Sequence, residues 1–332
     1  MKVLLYLEAE NVLGKSGVGR AIKHQERALT DAGVSYTRNP KETYDIAHIN
    51  TYFLKSFRLL QKSKKEGKKV IMHGHSTKED FEHSFIGSTA VAPLFKWWLC
   101  QFYKRADAII TPTAYSRDLI ASYGISCPIY PVSNGIELGK YQPNSEKEAI
   151  FRQHFGLSPK DKVVICAGLY FERKGIEDFV KVASKMPDVR FIWFGESPLW
   201  QIPRKIRRLV TKDHPKNVTF AGYIKGAVFE GAMSGSDCFF FPSHEETEGI
   251  VVLEALASHQ HVLVRDIPVY QGWLDEINVE MAKDVSGFVD KLQVILSGQS
   301  QKQEAGYEVA KAKAIDIVGQ ELVSVYQKVM ED

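Results

Sequence analysis

The stretch that decides the fold of this chain is residues 239–257, which read FFFPSHEETEGIVVLEALA. An aromatic run ends in Pro-Ser, an acidic loop with one glycine follows, and an apolar, alanine-rich run completes the stretch. This order predicts a buried strand, a loop at its carboxyl end, and a helix whose first turn lies beside that loop. Ligands of open α/β sheets bind in the crevice at the carboxyl ends of the strands. We therefore predict that this stretch lines a binding site.

Three features of the stretch suit a phosphorylated ligand. Gly249 allows the backbone to approach closely, and the free N–H groups of the helix start attract a phosphate. We expect Glu254 about two turns into the helix, where its carboxylate can point into the cleft and accept hydrogen bonds from hydroxyl groups. In the alternative interpretation, Glu246 and Glu254 are solvated charges on a helix.

The composition is that of an ordinary soluble globular protein, with 44% hydrophobic and 25% charged residues. The N-terminus leads directly into a candidate strand, so we expect no signal peptide. No run of about 18 uncharged apolar residues occurs, so no membrane span is predicted either. The cysteines lie far apart, which favours reduced thiols in a cytosolic chain over a disulfide framework or a zinc site. They are Cys100, Cys127, Cys166 and Cys238.

The chain has 332 residues and exceeds the size at which a single core keeps growing, so two domains are expected. Candidate strands and helices alternate through both halves, which predicts two doubly wound α/β domains. We place the domains at residues 1–155 and 156–312. The polar segment 138–162, with two prolines and many charges, is the predicted hinge region between them.

A glycine-rich turn follows the first candidate strand and reads Gly14-Lys15-Ser16-Gly17-Val18-Gly19-Arg20. It has neither the full P-loop spacing nor the full GxGxxG of dinucleotide-binding proteins. Two interpretations stay open, a tight turn and a ligand-binding loop in which Gly17 and Gly19 allow close approach.

Another candidate strand begins at Val70 and ends in two histidines, His73 and His75. A histidine at the carboxyl end of a strand is placed to line the crevice, although a lone histidine is usually structural. Either residue is a candidate, because the end of a predicted strand is uncertain by a residue or two.

The second half begins with a strand at 163–168, and Arg173-Lys174-Gly175-Ile176 then opens a helix. Two adjacent cations at a helix start, together with its free N–H groups, predict a diphosphate site.

Two segments carry aromatic or basic side chains suited to a membrane surface. Residues 90–105 form an aromatic helix-length run with two closing cations, which fits either a core helix or a membrane interface. Residues 199–209 interleave cations with apolar residues and could rest on anionic lipid headgroups, at about 1 kcal/mol per cation. No nucleic-acid recognition motif accompanies them, so no nucleic acid is expected. The candidate membrane contacts are Trp97, Trp98, Lys104, Arg105, Arg204, Lys205, Arg207 and Arg208.

The Glu246-x7-Glu254 spacing, with Gly-Ile-Val between and a strand before it, resembles the signature of the retaining GT-B glycosyltransferases of family 4. The Lys174-Gly175 pair and the Asn134-Gly135 turn are also similar to that family. The resemblance covers nearly the whole chain. It implies two Rossmann-like domains with an interdomain cleft, and a final helix over 313–332 that crosses back to the N-terminal domain.

The resemblance also assigns roles to the donor-site residues. It implies that Glu246 and His75, with His73 in reserve, contact the donor hexose, and that Glu254 binds the ribose. The backbone at Gly249, Ile250 and Val251 would meet the diphosphate.

Further implied contacts involve cations and the first glycine loop. Lys174 matches the family's diphosphate cation, while Leu169 stands where the family has an arginine, so Arg173 is the candidate replacement. The loop at Gly17 and Gly19 would face the cleft opposite the donor, with Arg20 near a phosphate.

Within family 4, the motifs look like those of bacterial glycolipid enzymes that add a second hexose to monoglucosyldiacylglycerol. The resemblance implies an α-retaining hexosyl transfer from UDP-glucose or UDP-galactose to a membrane glycolipid. Glu246, His75 and Lys174 would be the catalytic residues, and neither a metal nor another cofactor is implied. We expect a cytoplasmic enzyme attached peripherally to the inner face of the cell membrane.

Other functions stay open on sequence alone. A cell-wall or capsular polysaccharide could be the acceptor in place of a lipid. A sugar-nucleotide epimerase shares the two-domain architecture, whereas an NAD-dependent dehydrogenase is disfavoured by the incomplete glycine motif. A non-catalytic lipid- or partner-binding module would use the same basic and aromatic surface.

Overall fold

A computed structural model describes residues 1–14 and 16–331 of the chain, and the side chain of Val12 is not among the described parts. Lys15 of the predicted glycine-rich turn and Asp332 of the predicted final helix lie outside the described residues. The strands are β1 (Lys2–Tyr6), β2 (Ser35–Thr37), β3 (Ile46–Ile49), β4 (Lys69–His73), β5 (Ala108–Thr111), β6 (Ile129–Pro131), β7 (Val163–Ala167), β8 (Arg190–Phe194), β9 (Val218–Gly222), β10 (Cys238–Phe241), β11 (Val262–Arg265) and β12 (Glu280–Ala282).

Helices connect these strands, and three short 3₁₀ turns (Leu138–Lys140, Glu172–Lys174 and Pro268–Tyr270) lie between them. The α-helices are α1 (Glu10–Leu13), α2 (Gly17–Asp31), α3 (Leu54–Lys65), α4 (Lys78–Phe81), α5 (Ser88–Tyr103), α6 (Ala114–Ala121), α7 (Ser145–His154), α8 (Ile176–Lys185), α9 (Arg204–Thr211), α10 (Ala227–Gly235), α11 (Ile250–Ala257), α12 (Val285–Leu296), α13 (Gln303–Ala312) and α14 (Ile315–Glu331).

The strands form two six-stranded sheets, one in each half of the chain. The first has the order β2-β1-β3-β4-β5-β6 and the second β12-β11-β10-β7-β8-β9. All neighbouring strands in both sheets run parallel. Parallel sheets need helices on both faces, which explains why the central strands are fully buried. The predicted α/β fold with two doubly wound sheets is confirmed.

The first sheet separates two apolar clusters. Val3 and Leu5 of β1 face a cluster that includes residues of α2 and α14, and Leu4 faces a cluster with residues of α3 and α5. This alternation follows from the two-residue period of a strand. The second sheet lies in a single larger cluster that contains Phe239, Phe240 and Phe241 of the opening stretch.

The C-terminal region forms two helices, and the second of them corresponds to the final helix that the resemblance implies over 313–332. The helix is broken at Lys313 and Ala314, between α13 and α14. At this break, the Ile136 N–H donates to the Lys313 carbonyl (3.0 Å), and the Ile315 N–H donates to the Ile136 carbonyl (3.1 Å). The bridge redirects α14, whose Val318, Leu322 and other apolar residues pack in a cluster of the first half.

Helix α7 precedes residue 156 but packs with the second sheet. A Cβ added to Gly231 of α10 would lie 1.9 Å from the Lys147 carbonyl oxygen, so α7 and α10 touch through their backbones. Phe151 of α7 is fully buried in the large apolar cluster around the second sheet. The domain boundary at residue 155 stays a prediction.

Only one side of the aromatic helix α5 packs in the core. Leu99, Phe102 and Tyr103 are fully buried, whereas Leu94 and Trp97 keep 64% and 57% of their surface exposed. The helix therefore has both a core face and an exposed apolar face. Within residues 1–14 and 16–331, no helix is both long and apolar enough to cross a bilayer.

Candidate active site

The opening stretch folds as its sequence predicts. Strand β10 ends at Phe241, a loop follows, and α11 begins at Ile250 after Gly249, whose φ of +90° is a backbone conformation that favours glycine. Glu254 lies in the second turn of α11, nearer the helix start than the two turns expected, and its side chain is completely buried. It is therefore not a solvated helix charge.

Side chains of the first half hold the acidic loop from the opposite side. Thr113 and Ser116 donate from their hydroxyls to the Thr247 carbonyl, at 2.9 and 3.0 Å. The loop is therefore fixed between the two halves of the chain.

Glu248 of the same loop accepts three hydrogen bonds from the first half. Its carboxylate accepts from Ser133 Oγ (2.5 Å), from the Asn134 N–H (3.0 Å) and from Asn134 Nδ2 (2.7 Å), and the residue is 1% exposed. Sequence reasoning missed Glu248. The available signal was the Asn134-Gly135 turn, whose amide groups need a buried acceptor.

Lys174 and Glu246 form a direct ion pair beside the loop, as Lys174 Nζ contacts Glu246 Oε1. Ser243 Oγ donates to the same oxygen at 2.7 Å. The two charged side chains are only 13% and 7% exposed. Burial alone would raise the pKa of Glu246, but the facing Lys174 and Arg173 cations lower it overall. Burial lowers the pKa of Lys174, and the facing Glu246 carboxylate acts against that shift.

Arg173 is tied to the first half of the chain. Its Nη2 lies 2.9 Å from Asp80 Oδ1, and its Nε donates to Ser84 Oγ at 2.9 Å. Its Nη1 donates to the Glu245 carbonyl at 2.8 Å and lies 3.7 Å from Glu246 Oε1. The guanidinium is thus engaged on three sides, and Asp80 is a site residue that sequence reasoning missed. A diphosphate contact by Arg173 stays a prediction that requires one of these bonds to be exchanged.

Gly175 follows the two cations and must be a glycine. Its φ is +78°, and an added Cβ would lie 2.3 Å from the Pro242 carbonyl oxygen. The close approach brings Lys174 against the loop that follows β10.

The histidines at the end of β4 form a stack with a third one. The rings of His73 and His75 lie 3.9 Å apart, and those of His48 and His73 lie 5.2 Å apart. Burial lowers the pKa of His48 and of His75 to about 3. The wall that they form is therefore uncharged at neutral pH.

His75 is the more accessible of the two candidates, at 8% exposed against 2% for His73. His75 Nε2 lies 2.8 Å from Asn50 Oδ1, so this nitrogen carries the proton, because an amide oxygen only accepts. His73 lies behind it, with Nδ1 3.1 Å from both His48 Nε2 and Gln25 Nε2. This arrangement favours His75 as the ligand contact, and its role stays a prediction.

The glycine-rich turn brings a cation of the first half onto Glu254. Helix α2 begins at Gly17, and a Cβ on Gly19 would lie 2.5 Å from the Leu13 carbonyl oxygen. Arg20 Nη1 donates to both Glu254 oxygens at 2.7 Å, and Tyr141 Oη donates to Oε1 at 2.8 Å. The structure therefore brings the two predicted donor-site elements together across the cleft.

All four cysteines are free thiols. In the part of the chain that the structure describes, no group of three or more His, Cys, Asp or Glu residues could hold a metal ion.

Two family models match the chain. Glycosyltransferase Family 4 covers residues 10–140, and Glycosyl transferases group 1 covers residues 147–312. The processive diacylglycerol alpha-glucosyltransferase of Acholeplasma laidlawii is 45% identical over 340 residues, which span 100% of this chain and 99% of that protein.

Solved structures share the fold at low identity. Sucrose-phosphate synthase from Thermosynechococcus elongatus superposes with a TM-score of 0.82 at 16% identity, over 100% of this chain and 99% of its own. HepE of Anabaena in complex with UDP-glucose gives a TM-score of 0.77 at 13% identity, over 99% and 100% of the two chains.

These matches agree with the site just described, in which side chains of both halves meet at a buried, charged loop. They also confirm the family resemblance that the Glu246-x7-Glu254 motif carries. The chain belongs to the glycosyltransferases of Family 4 and group 1, and it is a glycosyltransferase of the GT-B fold.

Proposed function

We propose that the protein transfers a hexose from UDP-glucose or UDP-galactose to a hydroxyl of a membrane glycolipid, with retention of the α configuration. Monoglucosyldiacylglycerol is the proposed acceptor and a dihexosyldiacylglycerol the product. The observation that carries the proposal is the buried Lys174–Glu246 pair beside the start of α11. The full-length relative whose name specifies a diacylglycerol α-glucosyltransferase supports the lipid acceptor and favours glucose as the hexose.

Each donor group has a counterpart in the cleft. Lys174 and the backbone N–H groups of Ile250 and Val251 would hold the diphosphate. Glu246 and His75 would contact the hexose, and the ribose would meet Glu254.

The chemistry needs no covalent intermediate on the protein. The bond between the anomeric carbon and the diphosphate oxygen breaks while the acceptor oxygen forms a bond to that carbon on the same face. The acceptor proton passes to the leaving diphosphate. Lys174 stabilises the charge that develops on the leaving group, a type of contribution that is typically worth about 10²- to 10³-fold in turnover.

We further propose that the protein attaches peripherally to an anionic membrane, on the cytoplasmic side. Two exposed apolar elements from different halves lie side by side, because the Ile86 N–H donates to the Gln201 carbonyl at 2.9 Å. Ile86 is 56% and Trp200 is 75% exposed. A cleft of about 440 Å³, lined by Phe85, Ile86 and Arg204 among others, opens here between the halves and offers a path for the acceptor.

The predicted membrane contacts divide into outward and inward side chains. Trp97 is exposed, whereas Trp98 packs inward and donates from Nε1 to the Tyr52 carbonyl at 2.6 Å. Helix α9 carries the basic contribution, with Ile206 and Val210 buried beneath it. Its cations are Arg204, Lys205, Arg207 and Arg208.

A transfer assay tests the main proposal. Labelled UDP-glucose and UDP-galactose are offered separately, with anionic vesicles that carry monoglucosyldiacylglycerol. A dihexosyl lipid from one donor is the expected result, and Lys174→Ala should lower its rate of formation about 100-fold or more. If no lipid product forms but UDP still protects the protein against unfolding, the lipid acceptor is wrong and a polysaccharide takes its place. If UDP does not bind either, the donor-site roles are wrong.

Vesicle binding tests the membrane proposal. Replacing Arg204, Lys205, Arg207 and Arg208 by glutamine should weaken binding to anionic vesicles by at most about 1 kcal/mol per cation, and less for Lys205 and Arg208, which pair with Glu177 and Asp213. Binding of UDP should not change. The matched control replaces four exposed cations of the α3 segment, namely Lys55, Arg58, Lys62 and Lys65. Equal loss in both variants, or wild-type binding by the first, would show that α9 is not the docking surface.

A further inference from the structure

The ion pair between Arg20 and Glu254 joins the two halves of the protein at the donor site. Arg20 lies in the first turn of α2, and Glu254 lies in the second turn of α11. One guanidinium nitrogen, Nη1, reaches both carboxylate oxygens at 2.7 Å. The Glu254 side chain is fully buried, while that of Arg20 keeps 37% of its surface exposed.

The carboxylate of Glu254 needs these contacts when no ligand is bound. A buried carboxylate without a compensating partner costs several kcal/mol, and Arg20 and Tyr141 together supply three short contacts. In the proposed function, ribose hydroxyls donate to this same carboxylate. The ribose and Arg20 therefore compete for the two oxygens of Glu254.

Arg20 has hydrogen-bond donors to spare. Its Nε is buried and finds no partner among the described residues, and an arginine carries five N–H donors. Its position beside the start of α2, which has its own free N–H groups, suits an anion. The planar fork of a guanidinium matches a phosphate as well as it matches a carboxylate.

We propose that Arg20 exchanges partners during donor binding: it neutralises Glu254 in the empty enzyme and transfers to the diphosphate when the ribose takes its place. Glu254 then keeps the Tyr141 hydroxyl and gains the ribose hydroxyls. Recognition of the nucleoside and of the diphosphate are thereby coupled through one cation. This inference rests on the proposed function, since it takes a nucleoside diphosphate sugar as the ligand.

The exchange makes opposite predictions for two ligands that differ only in the diphosphate. In Arg20→Gln, uridine no longer competes with the guanidinium for Glu254, so its affinity should rise about threefold or more. UDP loses a charged phosphate contact, and its affinity should fall about tenfold. Calorimetric titration with uridine and with UDP measures both affinities.

Three further variants serve as controls for the Arg20→Gln titrations. Arg20→Lys keeps the charge and should retain most of the preference for UDP, even if Arg20→Gln is too unstable to study. Glu254→Gln should weaken uridine and UDP equally, because it removes the shared ribose contact. Arg27→Gln, on the exposed side of the same helix, should leave both affinities unchanged.

The outcomes separate this inference from the proposed function. If the wild-type protein binds UDP but Arg20→Gln loses both ligands equally, or neither, Arg20 only holds the halves together and the exchange is wrong. If Arg20→Lys binds UDP no better than Arg20→Gln, in a folded protein, the exchange is also wrong. If the wild-type protein binds neither ligand, both the inference and the donor-site roles fail.

Discussion

The two walls of the cleft bury polar side chains in opposite ways. In the wall of the first half, His75 lies in front of the buried rings of His73 and His48, and all three are neutral at neutral pH because burial lowers each pKa. The wall of the second half holds the buried ion pair of Lys174 and Glu246, in which the facing cations lower the pKa of Glu246.

The difference teaches how each wall suits its proposed ligand. A neutral imidazole both donates and accepts hydrogen bonds, so the first wall fits sugar hydroxyls without a large desolvation cost. A cation interacts strongly with an anion in a region of low dielectric constant, so Lys174 and Arg173 suit a diphosphate that takes the place of one of their present partners. The comparison also shows which wall depends on an intact partner, because a buried ion loses far more when its partner is removed.

The largest expected loss of turnover and stability is in the ionic wall, the wall of the second half with Lys174 and Glu246. Lys174→Met should lower turnover about 100-fold or more and destabilise the protein by about 3 kcal/mol, because Glu246 stays buried without its closest cation. The double variant Lys174→Met/Glu246→Gln should recover stability but not turnover. Urea unfolding and the transfer assay measure the two effects.

The control for this variant is an exposed pair in the same half. Lys162 Nζ lies 2.9 Å from Asp237, with 51% of the lysine side chain exposed. Lys162→Met should therefore cost less than about 1 kcal/mol. If the two lysine variants were equally destabilised, the buried Lys174–Glu246 pair would matter no more for stability than an exposed pair.

A smaller loss of activity is expected in the neutral wall, the wall of the first half with His75. His75→Ala should lower kcat/KM for the donor roughly tenfold, the value of one hydrogen bond to a sugar hydroxyl, with little loss of stability. His154→Ala, at an exposed position of α7, is the matched control. If His75→Ala has wild-type kinetics and His73→Ala does not, the roles of the two histidines are reversed.

The buried histidines of the neutral wall should also make the free energy of unfolding depend on pH. The folded-state pKa of His48 is about 3, whereas an unfolded histidine titrates near 6.5. Between these values the unfolded chain binds more protons, so stability falls as the pH drops below about 6.5. His48→Gln should reduce that slope by up to about 1.4 kcal/mol per pH unit. Urea unfolding from pH 7 to pH 5 measures the slope, which a His154→Gln variant should leave unchanged.

The smallest effect has the opposite sign and belongs to the loop of the ionic wall. Burial raises the pKa of Glu245 to about 7, so the folded protein binds the extra proton between about pH 4.5 and 7. Stability therefore falls as the pH rises through this range, by about 1 kcal/mol because the side chain is partly solvated. Glu245→Gln should remove this contribution. An unchanged pH profile of unfolding would show that Glu245 is ionised throughout.

The sequence predicts most of the fold because central strands carry a strong apolar signal. Strands β2, β6 and β12 carry no such signal, and they are each three residues long and lie at sheet edges. An edge strand has one neighbour and an exposed side, so it needs no continuous apolar run. The break between α13 and α14 has no local sequence signal either, because it is set by a backbone bridge to Ile136 rather than by a proline or glycine.

The candidate site could be predicted where a motif fixes local geometry. The strand, loop and helix around Gly249 follow from neighbouring residues, and so does the position of Lys174. The interdomain partners could not be predicted, since the pairing of Arg173 with Asp80 joins residues 93 positions apart. Glu248 escaped notice for the same reason, as its acceptor role depends on Ser133 and Asn134 of the other half.

The bridge at Ile136 has a mechanical consequence for the enzyme. The chain passes between its halves twice, once after Ile136 and once before Ile315, and the two passages are hydrogen-bonded to each other. Two tethers that share one point leave the halves a single pivot, so we expect opening to be a rotation about a short axis. Contacts such as that between Asp80 and Arg173 then re-form at high effective concentration after each turnover.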